Sequence, residues 1–592
     1  MYKTTWNLSR LQIKENEKYI IKRDTKKFLS KWKNDKEYLV FPNKLLEALK
    51  DYENWKNNHG SDGDVGYFLM LRSQQDQNDP KIKASLNQMS DFTTQIENDM
   101  QFFLLRLAKI PKSKQKAFLK SSLLLPYKHF LEDLFNQSKY LLTEPEEKIL
   151  NLKSQTSYAN WVKMTSEFIS KYEAFVLDEK TKKKVKKNFS EISSQMSSID
   201  KAVRKDSATA FNEIQKKFAD VAEHEINSIL QNKKVDDELR KVDRPDRLRH
   251  LSDDIPSEIV DTVIDVVSNN FNISKDYYKL KAKLFSQAKL EYYDRNVPYG
   301  DIEKSYSFDE SVELIRKVFK NLDSEFVNIL DDLLNNGNVD VYPKKGKTHG
   351  AFCIHGSLNQ PTYILLNHTN KLNDILTFAH ELGHAINNEL IKKSQNGLNF
   401  DTPLSTAEVS STFMEDFVIQ EFLKSCDDET KLSLMMTKLN DDVSTIFRQI
   451  AEYKFEQELH STFRKKGYIT KQEIGKIFSK HMKSYMGKYV KPMSGSENWW
   501  VCWSHVRSFF YVYSYASGLL ISKALQKNVK NDRKFINKVK SFLSAGTSQS
   551  PQNIFLGLGI SISKKDFWQN GINEIKELLI ETEKLAKKLK KI

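Results

Sequence analysis

Helix breakers are scarce in this chain. Nineteen glycines and 13 prolines are spread over 592 residues, while Lys, Leu and Glu recur at three- and four-residue spacing, so most of the sequence reads as helix and the architecture as mainly α. A chain this long exceeds the size at which a single core stops growing, which predicts two or more packed lobes. No fixed repeat and no low-complexity linker divides them, so the lobes are expected to share a large interface. A helical N-terminal region is read over residues 1–191. A catalytic region follows over 192–592, opening with long polar helices that continue through about Tyr299.

One segment departs from the helical pattern. Gly350–Ile354 (GAFCI) and Pro361–Leu366 (PTYILL) are short, apolar and β-rich. The linking HGSLNQ supplies the Gly, Ser and Asn of a turn, so together they predict a hairpin. It leads directly into the segment that carries the chemistry. Two readings follow: an edge to which an extended peptide adds as a further strand, or a structural support.

Composition narrows the function classes. A hydrophobic share of 39% with 29% charged residues describes a soluble globular protein, and no stretch reaches the roughly 18 unbroken apolar residues that a membrane helix needs. The N-terminal MYKTTWNLSRLQIKENEKYI lacks the order of a secretory signal, so a cytoplasmic location and no membrane partner are expected. Cys353, Cys426 and Cys502 are widely spaced and form no CxxC, which predicts neither a disulfide framework nor a thiolate metal site. Any metal must then use His and carboxylates. The net charge of +15 raises the possibility of nucleic acid. Its densest clusters, Lys180–Lys187 and Lys584–Lys591, read as helical and carry no interleaved aromatics to stack bases, so solvated helix faces and no nucleic-acid partner are expected.

Lys371–Lys393 (KLNDILTFAHELGHAINNELIKK) has Leu372, Ile375, Leu376, Ala379, Leu382, Ile386 and Leu390 at helical spacing, with Asn373 or Asp374 available as a cap. Within this partly buried helix lies HELGH. His380 and His384 are four residues apart, so their imidazoles project from one face and can reach a single Zn2+ ion. Glu381 lies on the same arc, where a carboxylate can accept a proton from zinc-bound water and pass it to the leaving amine. Two unpartnered imidazoles on an apolar helix would carry a desolvation cost, which favours a ligand role.

A catalytic zinc site takes three protein ligands, and the helix Ser405–Lys424 offers Glu408 as the third. The same residues, Ser405-Thr-Ala-Glu408, also match a capping box, in which Glu408 would bond back to the main chain. Glu415, seven residues on, shares the face of Glu408 and could hydrogen-bond a ligand histidine. Further along, Trp499–Ser522 reads as an aromatic helix, mostly core. His505, Tyr511 and Tyr515 are its candidate site residues, the two tyrosines sharing a face at four-residue spacing.

The early TTWNLSRL, then GAFC, FAHELGHAI, AEVSSTFMED and HVRSFFYVYSYASG occur in order over nearly the whole chain. In combination they resemble the oligoendopeptidase F branch of the thimet oligopeptidase family. The resemblance implies a clamshell-like helical metallopeptidase fold with a deep channel. It also implies one zinc ion held by His380, His384 and Glu408, and endopeptidase cleavage of short unstructured peptides. Glu381 would be the general base, with His505 and one or two of the tyrosines polarising the scissile carbonyl. This chain departs from the pattern at Val506, Arg507 and Ser508, where relatives tend to carry further Tyr or His. A zinc exopeptidase on a related helical scaffold is the alternative enzyme class. An inactive scaffold is disfavoured by the retained Glu381.

Overall fold

The computed structural model describes residues 2–300 and 305–592. Helix dominates, and the described residues form two small sheets, so the fold is mainly α. The strands are β1 (Glu173–Leu177), β2 (Lys184–Asn188), β3 (Val339–Asp340), β4 (Phe352–Ile354) and β5 (Tyr363–Leu365). No helix among the described residues is long and apolar enough to cross a membrane.

The chain divides into two compact units, each assembled from separated segments. The first comprises Met1–Glu144, Glu303–Phe422 and Leu525–Ile560, and the second Pro145–Ile302, Leu423–Ala524 and Ser561–Ile592. The boundary read at residue 191 lies inside the second unit. No change in composition marks the points where the chain passes from one unit to the other, because both are helical.

In the first unit, the helices Glu17–Trp32, Pro42–Asn58 and Pro80–Ala108 bury Phe28, Trp32, Phe103 and their neighbours in one apolar cluster. Each such fully buried side chain contributes about 1.5–3 kcal/mol. The sheet of this unit has the order β3-β5-β4, with β5 parallel to β3 and antiparallel to β4. The predicted hairpin is therefore present with shorter strands. Sequence reading missed β3, since two residues are too few to show a period. The N-terminal TTWNLSRL braces this sheet. Trp6 Nε1 donates to the Ile364 carbonyl at 2.8 Å, and the Val341 N–H donates to the Thr4 carbonyl at 3.0 Å.

Hydrogen bonding also decides which main-chain groups of β4 face away from the sheet. The Ile364 N–H donates to the Asn338 carbonyl, so Ile364 faces β3. Cys353, opposite Ile364 in the register, therefore turns its own N–H and C=O away from β5.

The second unit is organised on a 39-residue helix, Lys201–Leu239, whose cap Asp200 accepts from the N–H groups of Ala202 and Val203. Val203, Ser207, Phe211, Gln215, Ala219, Ala222, Ile226 and Ile229 line its buried face at three- and four-residue spacing. Two expectations fail in this unit. Lys180–Lys187 is not helical but forms the turn and second strand of the β1–β2 hairpin. Asp178 accepts from the N–H groups of Lys180 and Thr181, and Lys182 takes a left-handed φ of 54°, which turns the chain back. Four of the six lysines of this run pair with acids: Lys182 with Asp200, Lys184 with Asp206, Lys186 with Glu173 and Lys187 with Asp178.

Trp499–Ser522 is not one helix either. It begins as short 3₁₀ turns at Ser496–Val501 and Ser504–Arg507, and becomes α-helical only over Tyr513–Asn531. Phe509 and Phe510 interrupt it with φ values of 48° and 56°, a left-handed conformation that costs bulky residues energy and must be held by surrounding contacts. Glu456 accepts from the Phe510 N–H, and Arg249 donates to the carbonyls of Ser508 and Phe509. Tyr511 thus precedes the helix that carries Tyr515, so the shared helical face predicted for the two tyrosines is absent.

Candidate metal centre

The HELGH sequence lies on the helix Leu372–Ser394. Asp374, in its first turn, accepts from the N–H groups of Thr369 at 2.7 Å and Lys371 at 2.9 Å. All seven apolar positions read from the spacing, from Leu372 to Leu390, are buried. That buried stripe fixes the rotation of the helix and so the direction of its histidines. Glu408 is on the next helix, Leu404–Ser425. Its Oε2 lies 3.3 Å from His380 Nε2 and 3.6 Å from His384 Nε2. The ligand atoms of these three residues all fall within 4.8 Å of one another.

The close approach of the two helices depends on Gly383. A Cβ at this position would sit 2.5 Å from both the Ser410 carbonyl oxygen and the Ser411 Cα. Both are main-chain atoms and cannot swing aside. Gly383→Ala should therefore separate the helices, weaken metal binding and cost at least the about 1–3 kcal/mol typical of overpacking. Thermal melts with metal titration test this; a variant with parental melting temperature and metal affinity would show that the contact does not set the site.

Glu408 is held by Ser411, whose Oγ donates to Oε2 at 2.9 Å. Ser405 sits inside the helix, which begins at Leu404, and not at the flanking cap position. Glu415 Oε2 accepts from His380 Nδ1 at 3.0 Å. In the neutral ring, a proton on Nδ1 leaves Nε2 unprotonated and available as a ligand atom.

The electrostatics suit a cation. Burial works against a charged His380, yet its hydrogen bonds to Glu408 and Glu415 outweigh burial and raise its basicity well above the usual imidazole range. His384 is pushed down to about 4, chiefly by burial and against the pull of Glu408, so its ring is neutral. For Glu408 burial acts upward, but the histidines and Ser411 bring it down to about 2, so it is an anion. Two imidazole nitrogens and a carboxylate oxygen, with a second carboxylate behind one ring, match the donor chemistry of a zinc site.

Glu381 is 7% exposed. Burial raises its carboxyl to about 7; His380 and the Cys353 N–H oppose this, and Glu408 and Glu415 add to it. The sequence-predicted His380, Glu381, His384, Glu408 and Glu415 are thus gathered in the first unit.

His505, Tyr511 and Tyr515 belong to the second unit and form their own cluster. His505 Nε2 is 3.2 Å from the Tyr515 hydroxyl, and its ring stacks on Tyr511 with centroids 5.7 Å apart. Sequence reading missed the residues that hold these groups. Gly383 and Ser411 lie within the quoted motifs, but their roles depend on a partner helix. Arg507, noted only as a departure from the family pattern, is buried against Glu225.

Two family models match the chain. The model described as Peptidase family M3 matches residues 194–574, and that described as Oligopeptidase F matches residues 106–173. An oligoendopeptidase F homolog of Borreliella burgdorferi is 27% identical over 98% of both chains. Oligopeptidase PepF of Bacillus subtilis is 24% identical over 94% of this chain and 81% of its own. Among solved structures, oligoendopeptidase-F from Enterococcus faecium shares the fold at a TM-score of 0.73, with 16% identity over 97% of this chain and 99% of that one. The family model covers more than half of the chain and spans the His380–Glu408 centre, so this chain belongs to peptidase family M3, in its oligopeptidase F branch, and is a metallopeptidase.

Proposed function

We propose that this chain is a zinc-dependent endopeptidase that hydrolyses internal bonds of short, unstructured oligopeptides in the cytoplasm. The observation that carries the reading is the convergence of His380, His384 and Glu408 with Glu381 beside them on the same helix. The free state of Cys353, Cys426 and Cys502 suits a reducing compartment. The outer edge of β4, where the Cys353 carbonyl turns away from β5, suits a substrate held by its backbone in extended form.

A zinc ion held by His380, His384 and Glu408 would supply the Lewis acidity that polarises the scissile carbonyl and acidifies a water. Glu381 takes the proton of the attacking water on its carboxylate and returns it to the leaving amine. Glu415, bonded to His380 Nδ1, keeps that ring oriented. His505 and Tyr515 donate hydrogen bonds to the carbonyl oxygen as it gains negative charge, stabilising the transition state more than the substrate. Tyr511 supports His505 by stacking and is the alternative donor.

Mass spectrometry of a mixed short-peptide digest, with and without chelator, tests this reading. Internal cuts that disappear with chelator are expected. Single residues trimmed from peptide ends would make it an exopeptidase, and chelator-resistant cutting would remove the metal from the reaction. In the same digest, Tyr515→Phe should slow cleavage by about 10²–10³, and a rate within a few-fold of the parent transfers the donor role to Tyr511 or His505.

A further inference from the structure

We infer that Trp503 is a positioning residue that locks His505 in the tautomer able to donate from Nε2, and that the buried Arg507–Glu225 pair holds Trp503 in place. The inference rests on the proposed part of His505 as a hydrogen-bond donor in catalysis. It concerns what makes that histidine a donor.

The argument begins with the indole. A tryptophan Nε1 carries a hydrogen and has no lone pair to offer, so it can only donate. Trp503 Nε1 lies 3.1 Å from His505 Nδ1, which must therefore be the acceptor nitrogen. A neutral imidazole has one ring proton, so that proton is on Nε2. Nε2 is the nitrogen 3.2 Å from the Tyr515 hydroxyl. Without the indole, either tautomer becomes available, and the Nδ1–H form would present a lone pair where the reaction needs a donor.

Trp503 is itself fixed by an unusual wrapping of main chain around one guanidinium. Arg507 Nε and Nη2 donate to the two carboxylate oxygens of Glu225 at 2.8 and 2.9 Å. Its remaining hydrogens go to the carbonyls of Trp500 at 2.7 Å, Val501 at 2.9 Å and Trp503 at 3.0 Å. All five donors of the fork are satisfied, and three of them gather the turn that leads into His505. Arg507 is 5% exposed and Glu225 is fully buried. A paired, fully hydrogen-bonded buried charge of this kind holds one geometry, because any other leaves a charge or a carbonyl without its partner. The Trp503 ring packs edge-on against the buried Phe478. The Arg507 carbonyl accepts from the Tyr158 hydroxyl, so the turn is held on both flanks of His505.

The test is made on the full-length, zinc-loaded enzyme labelled with 15N-histidine. The His505 signals are assigned by their loss in His505→Gln. In the parent, His505 should show an unprotonated Nδ1 and a protonated Nε2. Trp503→Phe keeps the packing on Phe478 and removes the donor; it should produce a mixture of tautomers and lower kcat about tenfold with KM nearly unchanged. In the His505→Gln background, where no tautomer exists to control, Trp503→Phe should cause little further loss. An unchanged tautomer in Trp503→Phe overturns the inference, as does an equal loss of kcat in the two backgrounds, which would make Trp503 merely structural. A tautomer shift with parental kcat in both Trp503→Phe and His505→Gln leaves tautomer control standing and removes His505 from the reaction. Should Trp503→Phe fail to fold, Arg507→Lys replaces it in both measurements. The lysine keeps a positive charge opposite Glu225 but gives up carbonyl bonds, and a smaller shift in the same direction is expected.

Discussion

Glu381→Gln should bind metal as the parent does and turn over about 10²–10⁴-fold more slowly, the range over which a positioned general base contributes. The substitution preserves size and leaves His380, His384 and Glu408 untouched, but an amide cannot take up the proton of the attacking water. Its effect should fall on kcat with little change in KM, because the proton transfer is made only on the way to the transition state. Metal content measured on the same preparation is the control. A variant that retains near-parental turnover with metal bound would exclude Glu381 as the base. Burial of this carboxyl at 7% exposure also means that the amide enters a confined space, so a thermal melt should accompany the kinetics.

Glu408→Ala should lose metal far more readily than Ser405→Ala. The first change removes a carboxylate oxygen that lies within 3.6 Å of Nε2 of both His380 and His384 and would leave only two of the three candidate ligands of this cluster. The second alters a residue of the first helical turn that is not at the cap position. Had it been a cap, its loss would cost about 0.5–2 kcal/mol of helix stability and no metal affinity. Glu415→Ala, which removes only the support of His380 Nδ1, should fall between them at about 10–100-fold weaker binding. Competition against a chromophoric chelator measures all three. Equal, parental affinity in Glu408→Ala would place the third ligand on another residue and return Glu408 to a role in the helix alone.

The order of these effects reflects how differently the pieces of the centre are encoded. Spacing within one helix is a local property. Four residues separate His380 from His384, and any α-helix places them one turn apart. The stripe Leu372 to Leu390 then determines which face is buried, so the helix, its rotation and the pair of imidazoles were legible without a fold. The seven-residue spacing of Glu408 and Glu415 was legible in the same way. What was not legible was whether that second helix faces the first. That contact depends on Gly383 meeting the main chain of Ser410 and Ser411, positions 27 and 28 residues later in the sequence, and close packing of two backbones leaves no periodic signal.

Secondary structure followed the same rule. The β4–β5 hairpin was readable from its apolar runs and its turn residues, whereas β3 is recruited by hydrogen bonds from Ile364 and Leu366 and has no pattern of its own. The lysine-rich run 180–187 has helix-favouring composition, yet it forms a turn and a strand because Asp178 turns the chain and acidic partners meet the lysines from β1 and from the helix Lys201–Leu239. Over Trp499–Ser522 the aromatic content suggested a single helix. Tertiary contacts from Glu456, Arg249 and Glu225 instead hold a turn that local propensity alone would not form.

By itself, the sequence determined a mainly α chain and the candidates for its site: the histidine pair His380 and His384, the carboxylate beside them, Glu408, His505 and Tyr515. Each of these depends on residue type and short-range spacing, which the backbone geometry of a helix converts directly into position. Tertiary structure alone decided that Glu408 meets both histidines, that Glu415 bonds His380 and that Trp503 bonds His505. These are contacts between groups whose distance is set by packing and by buried charge pairing across many residues, so no local pattern in the chain could report them.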